Sequence, residues 1–208
     1  HGVRITAATV TGLRTQGHLP KPSRMDVRPN APKRRPNILF VVGETVSSNE
    51  WAPWNPKSDA SPELAAFLAA HESWVTLEGT VSGGSATDIS VPSMLTGIAT
   101  TASIADYRRA PVIWQEAKAR GYRTGLFSPQ NFHWLHFDEF FLSDHPPDVV
   151  RTSVDFPGSP VNDGGPPDER VVASALEFMT APSSEPFFAV LQFNATHFPY
   201  WAPGLEAI

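Results

Sequence analysis

Asn37-Ile38-Leu39-Phe40-Val41-Val42-Gly43 is a short, wholly apolar, partly β-branched run with Pro36 before it and Glu44-Thr45 after it. A run of that length between proline and glycine reads as a strand buried on both faces, the kind that occupies a parallel sheet. Working outward, Ser61 to His71 reads as a helix, with Ser61 as N-cap, Pro62 at the first position and Glu63 in the first turn. Trp74 to Leu77 is a short strand candidate. Pro111 to Arg120 reads as a helix stopped by Gly121, and Tyr122 to Ser128 as a strand closed by Pro129. Asp144 to Pro167, rich in Pro, Gly and Asp, reads as a long surface loop. Asp168 to Met179 is an amphipathic helix with Val171, Val172, Ala175, Leu176 and Met179 on one face. Phe187 to Phe193 is a second apolar strand. Strands separated by helices predict a three-layer α/β/α sandwich around a mainly parallel sheet.

Composition agrees with a folded domain. The 208 residues are 41% hydrophobic and 18% charged, enough to bury a core. Ile38 to Val42, like every other apolar run in the chain, falls far short of the roughly 20 residues of a membrane-spanning helix. Cysteine is absent, which removes disulfides, thiol nucleophiles and zinc knuckles together. The first residue is His1 rather than Met, and the natural start is expected to lie outside this sequence.

Charge is unevenly placed. Residues 1–36 carry eight of the 16 Lys and Arg against the single acid Asp26, leaving eight basic against 20 acidic groups in the remainder, a balance of -12. The basic segment holds no aromatic residue and no helical period, so it reads as a flexible, solvated arm or linker ahead of a domain spanning 37–208. An acidic domain is a poor partner for a phosphate backbone, and no nucleic-acid partner is expected.

In open parallel sheets, ligands sit beyond the carboxyl ends of the strands, which directs attention to the residues after Val42, Ser128 and Phe193. Glu44 follows the first strand; a carboxylate there suits a divalent metal, or equally caps the next helix. Ser82-Gly83-Gly84-Ser85-Ala86-Thr87-Asp88-Ile89-Ser90-Val91-Pro92 joins a flexible, hydroxyl-rich turn to a short apolar helix. Free amides at a helix start attract anions, so a hydroxyl there can face a phosphoryl or sulfuryl group; a plain Gly-Ser turn with capping hydroxyls is the alternative. Either Ser90 or Thr87 serves as N-cap in that reading. His197 lies just past the last strand, in a loop that Pro199 stiffens.

Four segments in order carry a resemblance: Pro36 to Thr45, Ser85 to Met94, Gly121-Tyr122-Arg123-Thr124, and Phe193 to Tyr200. Together they resemble the alkaline phosphatase and sulfatase superfamily, and most closely its branch of phosphoethanolamine transferases and lipoteichoic acid synthases. The resemblance implies an alkaline phosphatase-like sandwich and metal-dependent transfer or hydrolysis of phosphate or sulfate esters through a covalent threonine intermediate. By motif position it makes Glu44 a metal ligand, Thr87 both nucleophile and metal ligand, and His197 the group that binds the transferred moiety or assists its leaving group. It implies a divalent cation, zinc first, with calcium, manganese or magnesium as alternatives. It further implies a lipid- or glycan-linked ester substrate and a place in the cell envelope or periplasm, close to a membrane that anchors the full-length protein.

The chain departs from the superfamily pattern in several places. Ser90-Val91-Pro92-Ser93-Met94 copies the frame in which true sulfatases oxidise Cys or Ser to formylglycine, but Met94 stands where those enzymes have arginine. A formylglycine sulfatase using Ser90 is therefore the alternative to Thr87. A truncated, non-catalytic product of the same fold is another. The superfamily's Asp-His-Gly ligands are expected after a further strand beyond Ile208, making this the first part of a catalytic domain. Asp144-His145 is the one Asp-His pair, but Pro146-Pro147 follows it and it is discounted as a ligand.

Overall fold

Alternating apolar strands and helices build a four-stranded sheet. The computed structural model describes residues 22–198 apart from 31, 52–53, 72, 78 and 159–164. The strands are β1 (Ile38–Gly43), β2 (Arg123–Phe127), β3 (Val149–Arg151) and β4 (Phe187–Phe193), in the spatial order β1-β4-β2-β3, and every ladder is parallel. The helices are α1 (Pro62–Ala70), α2 (Thr87–Thr96), α3 (Ile104–Arg109), α4 (Ile113–Ala119) and α5 (Asp168–Thr180).

The strand period of two divides the core into two layers. On one face Leu126, Phe188 and Val190 meet Val91 and Leu95 of α2, Tyr107 of α3 and Trp114 of α4. The space beneath them is filled by Phe132, Phe137, Phe140 and Phe141, with edge-on ring contacts of 4.9–5.9 Å within the set. These phenylalanines come from the connection after β2, where a single 3-10 turn (Trp134–His136) leads into a π turn (Asp138–Leu142). On the opposite face Phe127, Ala189 and Leu191 bury Val171 and Ala175 of α5. The three-layer α/β/α sandwich with a parallel sheet is therefore the observed architecture.

Three local expectations are corrected. β1 is not buried on both faces: Leu39 and Val41 are 44% and 46% exposed. It sits at the sheet edge, and no described element covers its odd-numbered residues, because α5 packs over β4, β2 and β3. Trp74 to Leu77 is not a strand; its apolar side chains are exposed and have no partner strand among the described residues. The loop expected over 144–167 contains β3, whose three residues pair with Gly125 to Phe127. The adjoining prolines hide so short a strand in the sequence. Within that stretch, 159–164 lie outside the described residues.

From residue 22 on, the basic segment departs from the expected solvated arm. Residues 1–21 lie outside the described residues, but Ser23, Met25 and Asn30 donate backbone hydrogen bonds to the carbonyls of Arg108, Arg109 and Ala119, each at 2.9 Å. Arg24 is 8% exposed; its guanidinium donates to Ala110 O at 2.6 Å and to Phe140 O, and lies over the Phe140 ring. Burial pushes its pKa down to about 10, against the pull of Asp144. Arg35 donates to Gly121 O at 2.8 Å. Gly121 has φ +77, and a Cβ there would meet Arg35 Nη1 at 2.3 Å, so the helix stop and the arm share one glycine. Positive side chains here satisfy the open carbonyls at the ends of α3 and α4, a role that charge counting does not reveal.

Arg24→Ala should destabilise the fold by about 1–3 kcal/mol in denaturant titrations, because two carbonyls lose their donor. Exposed Arg28→Ala should stay within about 0.5 kcal/mol.

Candidate active site

The carboxyl ends of β1 and β4 and the start of α2 enclose a cleft of about 780 Å³. Glu44, Thr87, Ser90 and His197 all line it. Each reaches it through local chain geometry.

β1 ends at Gly43, and Glu44 continues the ladder by donating its amide to Phe193 O at 3.1 Å. Thr45 then turns into the left-handed region at φ 56. That conformation is unfavourable for a β-branched residue, and it swings the chain away while leaving the Glu44 side chain at the sheet edge. Thr196 Oγ1 donates to Glu44 O, tying this corner to the turn after β4.

α2 begins differently from either expected cap. Ala86 is the N-cap, extended at φ -137 and ψ 145, and no side chain caps it; Thr87 is the first helical residue. Gly84 permits the entry, since a Cβ there would meet Ile89 Cγ2 at 2.7 Å. Pro92 lies inside the helix, buried, and Gly97 closes it in the left-handed region at φ 70. Thr87 Oγ1 donates to Glu44 Oε1 at 3.1 Å. Ser90 Oγ instead donates back to Ala86 O at 3.1 Å, within its own helix.

The turn after β4 carries His197. Its amide donates to Asn194 O at 2.9 Å. Nδ1 lies 2.6 Å from Phe198 O, and because a carbonyl can only accept, Nδ1 carries the hydrogen and Nε2 is left free to accept a proton. Pro199, the expected stiffener of this loop, lies outside the described residues. Stiffness comes instead from Asp168 at the start of α5, whose carboxylate accepts the amides of Asn194 (2.9 Å) and Ala195 (3.0 Å). Burial raises the Asp168 pKa above the ordinary aspartate value; the two amides oppose this and Glu169 adds to it.

The structure thus brings Glu44 and Thr87 into direct contact and places His197 on the same cleft. Asp144-His145 is not among the cleft residues: Asp144 accepts the Arg24 amide at 3.2 Å, and His145 O accepts from Trp114 Nε1 at 3.1 Å. Sequence reading missed Ser128, Asp168, Gln192 and Thr196. Gln192 left a signal, as the one polar residue within Phe187 to Phe193.

Three of the four segments meet here, Gly121 to Thr124 lying instead at the start of β2, and all four fall within residues 36–204, which match the sulfatase family model. The chain belongs to the sulfatase family. Solved structures share its fold. The soluble domain of lipooligosaccharide phosphoethanolamine transferase A from Neisseria meningitidis is 18% identical, with a TM-score of 0.64 over 86% of this chain and 52% of that one. A protein in the alkaline phosphatase superfamily from Vibrio parahaemolyticus is 16% identical, with a TM-score of 0.65 over 97% of this chain and 52% of that one. The C-terminal periplasmic domain of EcEptC from Escherichia coli, in complex with Zn, is 17% identical, with a TM-score of 0.63 over 89% of this chain and 50% of that one. This sulfatase-family chain therefore spans about half the length of those domains. No curated protein sequence matches it.

Asp168→Ala should free the turn that carries His197. Losing bonds worth roughly 1–2 kcal/mol predicts amide exchange at Asn194 and Ala195 about tenfold faster or more, while β2 amides keep their protection.

Proposed function

We propose that the whole protein transfers or hydrolyses a phosphate ester through a covalent phospho-threonine at Thr87. The observation that carries this reading is the Thr87–Glu44 hydrogen bond at the carboxyl edge of a parallel sheet, on a cleft that His197 also lines. Family membership and the phosphoethanolamine transferases among the structural neighbours support the same class of chemistry.

Thr87 stands at the unblocked start of a ten-residue helix. Its hydroxyl proton is directed to Glu44, and the first-turn amides offer dipoles to an incoming anionic group. In the forward step Oγ1 passes its proton to Glu44 and bonds to phosphorus as the bond from phosphorus to the ester oxygen breaks, and that departing oxygen takes a proton from Nε2 of a His197 ring protonated on both nitrogens. Water or an alcohol then attacks the phospho-threonine and restores the hydroxyl. Hydrolase and transferase thus share one site, and the acceptor decides which reaction is seen.

A threonine hydroxyl is a weak nucleophile, and the family implies a divalent cation. The donor pair fits one in kind: a carboxylate and a hydroxyl meet at the cleft, both oxygen donors of the sort such a cation takes. Among the described residues no group of three or more His, Asp, Glu or Cys could complete the shell, so Glu44 and Thr87 account for part of it. When bound, the cation would promote deprotonation of the hydroxyl and offset the charge developing on the transferred group. Zinc suits this set, and a Zn complex is known for one structural neighbour. Residues of the described chain would hold it through Glu44 and Thr87 alone.

Thr87 is preferred over Ser90 because the Ser90 hydroxyl is turned onto Ala86 O. One neighbouring protein is known as a periplasmic domain and another as a lipooligosaccharide phosphoethanolamine transferase, which supports a lipid-linked ester at the outer face of a membrane. No helix among the described residues is long and apolar enough to cross a membrane, so anchoring in the full-length protein is part of the proposal.

Thr87→Ala in the full-length protein should lower turnover by roughly three orders of magnitude or more and abolish any covalent phospho-enzyme, with Thr87→Ser retaining both in part. Mass spectrometry of the active-site peptide decides the nucleophile: phosphate on Thr87 supports the assignment, and oxidised Ser90 overturns it. Chelation should remove activity, and added zinc should restore it.

A further inference from the structure

We infer that Gln192, oriented by Ser128, is a positioning residue that holds the Glu44 carboxylate against Thr87. This rests on the reading of Glu44 and Thr87 as the working pair. Gln192 is 5% exposed in an otherwise apolar strand, and Ser128 is wholly buried one position past the end of β2. A buried amide and hydroxyl are costly unless bonded, so their partners reveal what the positions are for.

The bonds form a chain with one direction. Gln130 N donates to Ser128 Oγ at 3.1 Å, filling a lone pair of that hydroxyl. Ser128 Oγ then donates to Gln192 Oε1 at 2.8 Å. That contact sets which way round the amide sits, because an amide nitrogen cannot accept a hydrogen. The Gln192 NH2 group is thereby aimed at Glu44, and Nε2 donates to Oε2 at 3.2 Å. Thr87 donates to the other oxygen, Oε1. One carboxylate oxygen is thus held from the sheet and the other from α2. With the amide reversed, its oxygen would face the carboxylate and repel it.

Sheet register makes this chain possible. Phe127 pairs with Leu191, so Ser128 lies beside Gln192, and Val42 pairs with Gln192, two residues before Glu44. Gln192 falls on the face that carries Phe188 and Val190, toward α2. A partner behind a metal-binding carboxylate fixes its plane before the ion arrives, and losing such partners typically costs metal affinity.

The test uses the full-length protein with Gln192→Met, Ser128→Ala, the double variant and Glu44→Ala. The readouts are zinc affinity by calorimetry, metal-free melting temperature, and kcat and KM separately. Gln192→Met should weaken zinc binding about 10–100-fold and lower kcat with KM little changed, at a melting temperature near that of the parent. Ser128→Ala should show a smaller loss of the same kind. The double variant should be no worse than Gln192→Met, because Ser128 acts through Gln192. Unchanged zinc affinity in Gln192→Met, or losses that add in the double variant, overturns the inference. If Gln192→Met does not fold, Ser128→Ala decides alone: weakened zinc binding at an unchanged melting temperature supports the relay, and parental binding rejects it. Glu44→Ala separates the two levels. No loss of zinc there defeats the ligand assignment itself, whereas a loss there beside parental binding in Gln192→Met defeats only the relay.

Discussion

Parallel pairing of β1 with β4 is the constraint on which the cleft depends. The ladder runs in register from Ile38–Phe188 to Gly43–Phe193, and Glu44 extends it by one further hydrogen bond to Phe193 O. Because the strands are parallel, both end on the same side of the sheet, so whatever follows Gly43 and whatever follows Phe193 must share that edge. Glu44 and the His197 turn are neighbours for this reason, although about 150 residues of chain separate them. A slip of one residue would turn Gln192 to the α5 side and leave the Glu44 carboxylate without its inner support.

The same edge shows how a fold accommodates polar groups that its sequence places in the core. Along the α2 face the apolar residues Leu126, Phe188 and Val190 give way to Ser128 and Gln192 as the strands approach the cleft. At that boundary hydrophobic packing ends and hydrogen bonding takes over, and each polar group is answered by another. Asp168 does the same from the opposite layer, bonding the amides that follow β4. The site is therefore braced from both faces of the sheet, by buried Ser128 and Gln192 on one side and half-buried Asp168 on the other.

The basic arm carries the complementary lesson. Its charges read as solvated because a guanidinium in water needs no partner, yet Arg24 is buried against two carbonyls and an aromatic ring. The long aliphatic stem covers apolar surface while the head satisfies helix-end carbonyls. Composition counts charges but says nothing of the acceptors left open at the ends of α3 and α4, which exist only once those helices are packed.

Much of the architecture was legible in the chain itself. The extents of β4 and α5, the α/β/α class, and the three segments that meet at the cleft follow from local periodicity, caps and breakers, each written over a few consecutive residues. The edge position of β1, the three-residue β3, the docking of Arg24 and the Ser128–Gln192–Glu44 relay were settled only in three dimensions. Each depends on which distant surface lies opposite. Exposure, register and hydrogen-bond partnership are properties of pairs of segments, and a linear sequence records only one member of each pair at a time.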